Sequence, residues 1–291
     1  MRIFRLINNG WIGNFVIIGN KVYVLLSDPI TALKLYSEGK DVPLGPEVNI
    51  NIDELLTKDY TYKGLRFTKP YDPPEVWGGS GIVYEVARAR YSEEDVAMIR
   101  GKTIYELVYD AERPEIFFKG TANRCVGHGE PIAIRSDSEW TLPEPELGVV
   151  IDSVGKILAY TISDDVSARD LEAQNPLYLP QSKIYNGSCA IGPFLVTPDE
   201  VSNPYNLTIS MRIIRGNSVI FEGSISTSKM RRRVEDQIKY LIRDNTVPDG
   251  TLLSTGTAVI PPRPITLMHG GDIVEISITG LGTQRTPVIK L

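Results

Sequence analysis

The chain has 291 residues, of which 42% are hydrophobic and 23% are charged, and its formal net charge is −5. This length allows one large domain or two unequal ones with a full hydrophobic core, and the composition is that of an ordinary globular protein. The negative charge argues against a nucleic-acid partner, and no apolar run approaches the ~18 residues that a membrane span needs. We therefore expect neither a nucleic-acid partner nor a membrane partner.

The cysteines and histidines limit both the compartment and the chemistry. Cys125 and Cys189 are the only cysteines and lack the spacing of a disulfide framework, so we expect free thiols in a reducing cytoplasm. The N-terminus shows no signal-peptide pattern. The two histidines, His128 and His269, each lie beside glycines, and they support neither a His-based zinc site nor a Ser-His-Asp triad. Carboxylates, lysine and a hard metal are the expected chemical groups.

The first 70 residues are predicted to form a small α+β module. A hairpin is predicted over Phe15–Leu26, where two apolar runs flank a Gly-Asn turn, and Pro29–Glu38 has a helical pattern. The proline-rich stretch Thr68–Pro74 is interpreted as the linker to a second, catalytic domain that spans residues 75–291.

The second domain is predicted to be mainly β, because many short apolar runs are separated by glycine and proline. Three helical patterns interrupt these runs, at Ser92–Asp110, Val166–Gln174 and Arg231–Arg243. This arrangement favours a mixed β-roll or sandwich over alternating βαβ units, so the predicted fold class is mainly β (α+β). The basic run Met230–Arg233 opens the third helix and is interpreted as a solvated or interface patch.

The most informative motif is Glu144-Pro145-Glu146, which directly precedes the apolar run Leu147–Ile151. The apolar run predicts a buried strand, and residues i and i+2 of a strand project from the same face. Two buried neighbouring carboxylates repel each other, so they require a cation, a shared proton or a nearby Lys or Arg.

A third carboxylate is expected opposite the first. Asp152–Lys156 predicts a turn, and with Val154-Gly155 as the turn residues the returning strand places Asp165 opposite Glu144. Three convergent carboxylates form an all-oxygen site that suits Mg²⁺, Mn²⁺ or Ca²⁺ better than a soft metal. The alternative is that the two glutamates form a polar edge paired with lysines.

The motifs further along the chain identify a family when they are taken together. Asp164–Asp170, which reads Asp-Asp-Val-Ser-Ala-Arg-Asp, would alone indicate only a helix-capping pattern. Together with the Glu-x-Glu pair, Lys183 ahead of Gly192-Pro193, and Thr255-Gly256-Thr257, it resembles the signature of the fumarylacetoacetate hydrolase superfamily. The resemblance covers roughly residues 75–291. Further matching blocks are Arg113–Lys119, Gly127–Ile132 and Gly270–Val274.

The resemblance implies a mixed β-roll fold, a divalent metal held by Glu144, Glu146 and Asp165, and a 2-oxo acid substrate that chelates this metal. Mg²⁺ is the expected cofactor, with Mn²⁺ or Ca²⁺ as substitutes. Lys183 is the candidate base that takes a substrate proton, and Glu115 is the candidate acid at the leaving hydroxyl. Near a dication the ammonium form of Lys183 is disfavoured, so we expect its pKa to move toward neutrality.

Three further residues are candidates for substrate binding. Arg169 would contact the substrate carboxylate or hold the metal-binding carboxylates in place. Gly256 and Thr257 would offer backbone N–H groups and a hydroxyl to the substrate carboxylate, or would form a simple turn at a strand end. For Glu115 the alternative is a pairing with Lys119 or with Arg113.

Two departures from the family pattern bear on the reaction. Asp164 stands where the family usually has Asn, which should leave the ligand at Asp165 intact. Hydrolases of the family carry a Gly-x-Asn-Tyr-x-x-His segment whose His activates water, whereas Gly81–Ala87 has Ala87 at that position. Hydrolysis of a carbon–carbon bond is therefore poorly supported.

Local segments, including the loop Asn175–Gln181, resemble the sugar-acid dehydratase branch of the family. This resemblance implies Mg-dependent dehydration of 2-keto-3-deoxy-D-arabinonate, a 2-oxo sugar acid, to 2,5-dioxopentanoate in oxidative pentose degradation. The alternatives are an acylpyruvate hydrolase or oxaloacetate decarboxylase of the same superfamily, and a non-catalytic, metal-stabilised binding protein. The β-rich body, the helix Arg231–Arg243 and the resemblance together predict a homodimer or homotetramer.

Overall fold

The structure is a computed structural model that describes residues 1–57, 61–62, 64–79, 98–99, 101–257, 259–263 and 269–291. Strands dominate this part of the chain, and most of them belong to two sheets that share one apolar core. Among the described helices, none combines the length and the apolar character that crossing a bilayer requires. The predicted mainly β fold of mixed type is confirmed.

The described strands up to residue 120 are β1 (Arg2–Asn8), β2 (Trp11–Ile18), β3 (Lys21–Leu25), β4 (Leu44–Val48), β5 (Thr61–Tyr62), β6 (Leu65–Thr68), β7 (Val76–Gly79), β8 (Met98–Ile99), β9 (Lys102–Thr103) and β10 (Ile116–Gly120). They are followed by β11 (Cys125–Val126), β12 (Ile132–Ile134), β13 (Thr141–Leu142), β14 (Pro145–Ile151), β15 (Ile157–Asp165), β16 (Ser167–Ala168), β17 (Cys189–Ile191), β18 (Leu195–Val196), β19 (Thr208–Arg215), β20 (Ser218–Ser226), β21 (Thr251–Ser254), β22 (Ile273–Ile278) and β23 (Gly282–Lys290). The helices are α1 (Pro29–Ser37), α2 (Ile52–Thr57), α3 (Ile104–Asp110), α4 (Arg169–Gln174), α5 (Leu179–Lys183) and α6 (Val234–Leu241).

The larger sheet runs β10-β7-β21-β14-β15-β18-β1-β2-β3-β4, and β5, β6, β11 and β17 pair alongside it. The smaller sheet runs β12-β23-β22-β19-β20. Apolar residues from both sheets, among them Val149, Ile162, Met211 and Ile276, belong to one buried cluster. β14 is buried along its whole length and β15 along almost all of it, so polar side chains on this hairpin are removed from water.

The N-terminal strands continue the larger sheet, because β1 pairs with β18. The hairpin predicted over Phe15–Leu26 is observed as β2 and β3. Helix α1 begins after Asp28, whose carboxylate accepts the Ile30 N–H at 2.8 Å and so caps the helix. The division into a module of residues 1–70 and a domain of residues 75–291 stays a prediction.

The helices predicted for the second domain are shorter in the structure. Ser92–Asp110 is observed only as α3, because Thr103 and Glu106 form a capping box that starts the helix there. Residues 92–97 and 100 lie outside the described residues. The helix predicted from Val166 begins only at α4, since β16 first pairs with β13. The helix predicted over Arg231–Arg243 is observed as α6.

The β14–β15 hairpin sets the geometry at the end of the sheet where the predicted site lies. At this end the register is the predicted one, with Glu146 opposite Ser163. The turn differs from the prediction centred on Val154-Gly155, because the Asp152 N–H donates to the Lys156 carbonyl at 3.0 Å and closes a longer loop. A bulge in β15, where Leu158 is left without a partner between Ile157 and Ala159, shifts the pairing by one residue and recovers the predicted alignment.

His128 is a buried histidine of the fold. Its Nδ1 accepts the Arg285 N–H at 3.2 Å, and its ring meets Phe67 edge-on with centroids 5.5 Å apart. Burial lowers the pKa of His128 to about 4. The neutral imidazole is therefore the form that the folded protein stabilises.

This depressed pKa predicts a stability that depends on pH. Because the unfolded chain binds a proton near pH 6.5 and the folded one only near pH 4, the free energy of unfolding should fall as the pH drops between these values, by about 3 kcal/mol from this group. In urea unfolding experiments over this pH range, the free energy of unfolding should fall less for His128→Asn than for the parent protein. The exposed His269 provides the control, and equal slopes for the parent, His128→Asn and His269→Asn would contradict the prediction.

Candidate metal centre

Three acidic side chains meet at one end of the β14–β15 hairpin. Glu144 directly precedes β14, Glu146 lies within it, and Asp165 ends β15. The Asp165 N–H donates to the Glu144 carbonyl at 3.0 Å, so the two residues face each other as predicted. All three side chains are buried, and one carboxylate oxygen from each lies within 4.8 Å of the others. The structure therefore brings the three predicted ligands together.

The electrostatics of the cluster favour a bound cation. Burial, aided by the neighbouring carboxylates, raises the pKa of Glu146 well above its ordinary value, and burial also raises that of Glu144. Burial alone would raise the pKa of Asp165 too, but Lys119 and Lys183 outweigh it and hold the value below normal. Three carboxylates against two ammonium groups leave a deficit of positive charge, and an all-oxygen donor set fits a hard dication such as Mg²⁺.

Lys183 ends helix α5 and points into this cluster. Its Nζ donates to Glu144 Oε2 at 2.8 Å, to Asp165 Oδ2 at 2.9 Å and to Ser167 Oγ at 2.5 Å. Burial would lower the pKa of Lys183, but Asp165 and Glu144 outweigh burial and raise it well above its ordinary value. The shift toward neutrality expected beside a dication stays a prediction.

Lys119 is a member of the cluster that the sequence analysis missed. It lies in β10, is 1% exposed, and holds its Nζ 2.6 Å from Asp165 Oδ1. The same Nζ donates to the carbonyls of Val166 at 2.9 Å and Lys183 at 2.6 Å. It therefore neutralises one ligand and ties α5 to the end of β15. The available signal was a lysine inside the apolar run that begins at Ile116, because a charge in a buried strand needs a buried partner.

Glu115, the predicted acid, directly precedes β10 and is half-buried. Further along the same strand, the Phe117 ring lies 5.5 Å from Lys183 Nζ and Lys119 reaches Asp165, so β10 leads from Glu115 to the cluster. Lys119 forms its ion pair with Asp165. The alternative interpretation, in which Glu115 pairs with Lys119, is therefore not supported. The catalytic role of Glu115 stays a prediction.

Arg169 is a buried arginine at the start of α4. It is 1% exposed, and its Nη1 lies 2.6 Å from Glu172 Oε1. Its positive charge counteracts the rise in the Glu144 pKa that burial causes. Both predicted roles of Arg169, contact with the substrate carboxylate and support of the metal-binding carboxylates, stay predictions.

Gly256 and Thr257 lie behind Glu146. The Gly256 N–H donates to Glu146 Oε2 at 2.6 Å, and its φ of +108° is a conformation that favours glycine. Thr257 Oγ1 makes a long contact of 3.5 Å with the Pro145 carbonyl. Both residues thus position a predicted ligand, and their predicted contact with the substrate carboxylate stays a prediction.

Asp164 occupies the position where the family usually has Asn. Its Oδ1 accepts the Glu144 N–H at 2.8 Å, and since Glu144 lies between two prolines, this is the backbone donor that fixes its position. Burial raises the pKa of Asp164 to about 7. An Asn side chain would present the same acceptor oxygen without the charge.

Asp164→Asn should therefore keep its Mg²⁺ affinity within about fivefold of the parent protein, because the hydrogen bond to Glu144 survives. Asp164→Ala removes the acceptor and leaves a buried N–H unsatisfied, which costs about 1–3 kcal/mol and should weaken Mg²⁺ binding at least tenfold. Isothermal titration calorimetry measures both. If the two variants bind Mg²⁺ equally weakly, the charge of Asp164 matters and the hydrogen bond does not.

The segment Gly81–Ala87, in which Ala87 replaces the histidine of the hydrolases, lies outside the described residues. Within the described part, the cluster contains three carboxylates that could bind a hard metal ion, together with two lysines. The fold and this cluster define a class of mainly β proteins whose divalent-cation site is built on a buried hairpin.

The chain belongs to the fumarylacetoacetate hydrolase family, because the family described as "Fumarylacetoacetate (FAA) hydrolase C-terminal" matches residues 102–289. The resemblance seen in the motifs is thereby confirmed. The chain is 62% identical to a 2-dehydro-3-deoxy-D-arabinonate dehydratase of Saccharolobus solfataricus over 100% of its own length and 97% of that protein. It is 44% identical to a probable 2-keto-3-deoxyxylonate dehydratase of Haloferax volcanii, over 76% of this chain and 74% of the other.

The fold of this chain also matches a solved structure of a similar protein. It is described as 2-keto-3-deoxy-D-arabinonate dehydratase complexed with magnesium and 2,5-dioxopentanoate, and the present fold matches it with a TM-score of 0.93 at 58% identity. The match covers 100% of this chain and 99% of the other.

Proposed function

We propose that this protein is a Mg²⁺-dependent hydro-lyase that dehydrates 2-keto-3-deoxy-D-arabinonate to 2,5-dioxopentanoate in oxidative pentose degradation. One observation carries the proposal: a buried cluster of Glu144, Glu146 and Asp165, with Lys183 touching two of them. This cluster belongs to a chain that is similar to an arabinonate dehydratase throughout its length. Mn²⁺ and Ca²⁺ are the proposed substitutes for Mg²⁺.

The cluster would hold the metal ion that acts as the electrophile, and it contains Lys183 as the base. Mg²⁺ held by Glu144, Glu146 and Asp165 would polarise the 2-oxo group and acidify the C3 protons of the substrate. Lys183 takes one C3 proton on Nζ. Mg²⁺ held by Glu144 and Asp165 would weaken the support that these carboxylates give to the ammonium form of Lys183, and would so lower its pKa toward the working range.

The acid and the remaining contacts complete the elimination. Glu115 gives its proton to the C4 hydroxyl, so that the C4–O bond breaks and water leaves as the C3=C4 bond forms. Removal of a C5 proton and protonation at C3 then give an enol, and protonation of the enol at C4 yields the aldehyde. Arg169, Gly256 and Thr257 keep the carboxylates and the substrate in register.

The reaction is tested by incubating the Mg²⁺-loaded protein with 2-keto-3-deoxy-D-arabinonate in deuterated water. Freshly formed 2,5-dioxopentanoate should carry solvent deuterium at C3 and C4, with product followed by NMR. Acylpyruvates and oxaloacetate are the matched alternatives, and faster turnover of either would make the protein a hydrolase or a decarboxylase. Pyruvate with glycolaldehyde would identify an aldolase, and no turnover of any of these would leave a binding protein.

We also propose that the protein acts in the cytoplasm as a homodimer or homotetramer. The two cysteines are free and buried, which suits a reducing compartment. The apolar face of α6, with Ile238 and Leu241, is buried within the protomer, so it does not support association as expected from the sequence. Exposed apolar side chains at Trp11, Ile12 and Leu26 are better candidates.

Light scattering at micromolar concentration should give a mass of at least twice the 32.3 kDa of one chain. Trp11→Ser with Leu26→Ser should shift this mass toward the monomer, because the apolar area that drives association is lost. Substitution of the exposed Val219, on the smaller sheet, is the matched control. A monomer for the parent protein would refute the proposal.

A further inference from the structure

The basic run that the sequence analysis singled out is engaged within the protomer. Arg232 Nη2 donates to the carbonyls of Val108 at 2.6 Å and Ala111 at 2.5 Å, and so satisfies the C-terminal end of α3. Arg231 lies over the Tyr109 ring and Arg233 over the Tyr205 ring. The expectation of a solvated or interface patch is therefore wrong for Arg232.

A cavity of about 270 Å³ lies at the C-terminal end of α6, and its wall includes Trp77, Arg113, Tyr240 and Arg243. Both guanidinium groups rest on one ring, with Arg113 Cζ 5.3 Å and Arg243 Cζ 4.5 Å from the Tyr240 centroid. Among the described residues, neither arginine has a salt bridge to an acid. Both arginines also line the cavity, so an anion bound in it would face two positive charges.

We propose that this cavity binds a small organic oxyanion through Arg113 and Arg243. The planar guanidinium group offers paired N–H donors that match carboxylate and phosphate oxygens. The cation–π contacts to Tyr240 hold both arginines in place before the ligand arrives, which lowers the entropic cost of binding. The volume exceeds that of a bare ion, and the indole of Trp77, whose Nε1 is occupied by Glu75 at 2.8 Å, offers an apolar wall for a carbon skeleton.

The cavity is distinct from the metal centre, because its lining shares no residue with the carboxylate cluster. It borders the chain on both sides of Glu115, since Pro114 and Ile116 line it. Further along, the same strand carries Lys119, which contacts Asp165. An anion bound here would therefore lie behind the strand that leads into the proposed catalytic site.

The test measures binding in the Mg²⁺-containing protein, with inorganic phosphate and succinate as separate probes. Isothermal titration calorimetry, with ³¹P line widths for phosphate, should give saturable binding with a Kd of about 1 mM or tighter for at least one probe. Arg113→Gln and Arg243→Gln should each weaken binding at least tenfold, and the double variant should abolish it. Raising the ionic strength should weaken binding of the parent protein, because both arginines are exposed.

Two controls decide the location of the site. Arg66→Gln removes an equal charge from an exposed position in β6 and should leave the affinity unchanged. Glu146→Gln alters the metal centre and should also leave it unchanged, whereas loss of binding in this variant would place the anion on the metal. Equal affinity in Arg113→Gln, Arg243→Gln and Arg66→Gln, or no saturable binding to the parent protein, overturns the proposal. None of these binding measurements requires turnover, so their outcome is independent of the proposed reaction.

Discussion

Glu146→Gln is expected to abolish tight Mg²⁺ binding and to lower kcat/KM for the proposed dehydration by about 10³-fold or more, because a metal ion contributes several kcal/mol of transition-state stabilisation. The substitution keeps the shape of the side chain and the acceptor that faces the Gly256 N–H. It removes one of three buried carboxylates that form the donor set. The fold should survive, as judged by far-UV circular dichroism.

The unfolding temperature of Glu146→Gln provides a second test that does not depend on activity. With the metal chelated, the parent protein holds three mutually repelling carboxylates, so Glu146→Gln should unfold at a temperature equal to or higher than the parent protein. Added Mg²⁺ should raise the unfolding temperature of the parent protein by mass action and leave that of the variant unchanged. Glu222→Gln, on an exposed strand, is the matched control. Full activity of Glu146→Gln after chelation would falsify the assignment of the ligand.

Lys183→Met is expected to lower kcat by about 10²–10⁴-fold, the usual contribution of a general base, while KM changes little. In the structure Lys183 Nζ donates to Glu144 and Asp165. Removing this positive charge leaves the carboxylates more negative, so Mg²⁺ should bind the variant as tightly as the parent protein or more tightly. Steady-state kinetics and titration calorimetry separate the two effects.

Lys183→Arg distinguishes proton transfer from charge compensation. The guanidinium group retains the positive charge but does not lose a proton in proteins, so kcat should stay low although the charge of the cluster is restored. Recovery of kcat in Lys183→Arg would mean that Lys183 acts through its charge. A loss confined to KM would make it a substrate-binding residue and would require another base.

Residues of the site could be predicted from the sequence where a short segment of neighbouring residues carries the pattern. The alternation within Glu144-Pro145-Glu146 predicted that both glutamates lie on one strand face, because strand geometry repeats every two residues. Asp165 lies opposite Glu144 as predicted, but only because the bulge in β15 offsets a turn that is longer than predicted. The motif around Lys183 rested on the family resemblance, and the structure brings its Nζ into the cluster. The roles of Lys183 and Glu115 in catalysis depend on the experiments above.

By itself, the sequence determined the mainly β fold class, the two strands of the hairpin and the placement of Glu144 and Glu146 on one strand face, since each follows from a local residue pattern. Only the tertiary structure decided that Lys119 neutralises Asp165 and that the Gly256 N–H holds Glu146. These contacts join β10, the loop after β21 and the hairpin through the strand order β10-β7-β21-β14. No local pattern encodes that order, because it is set by how apolar faces far apart in the chain pack together around a common core.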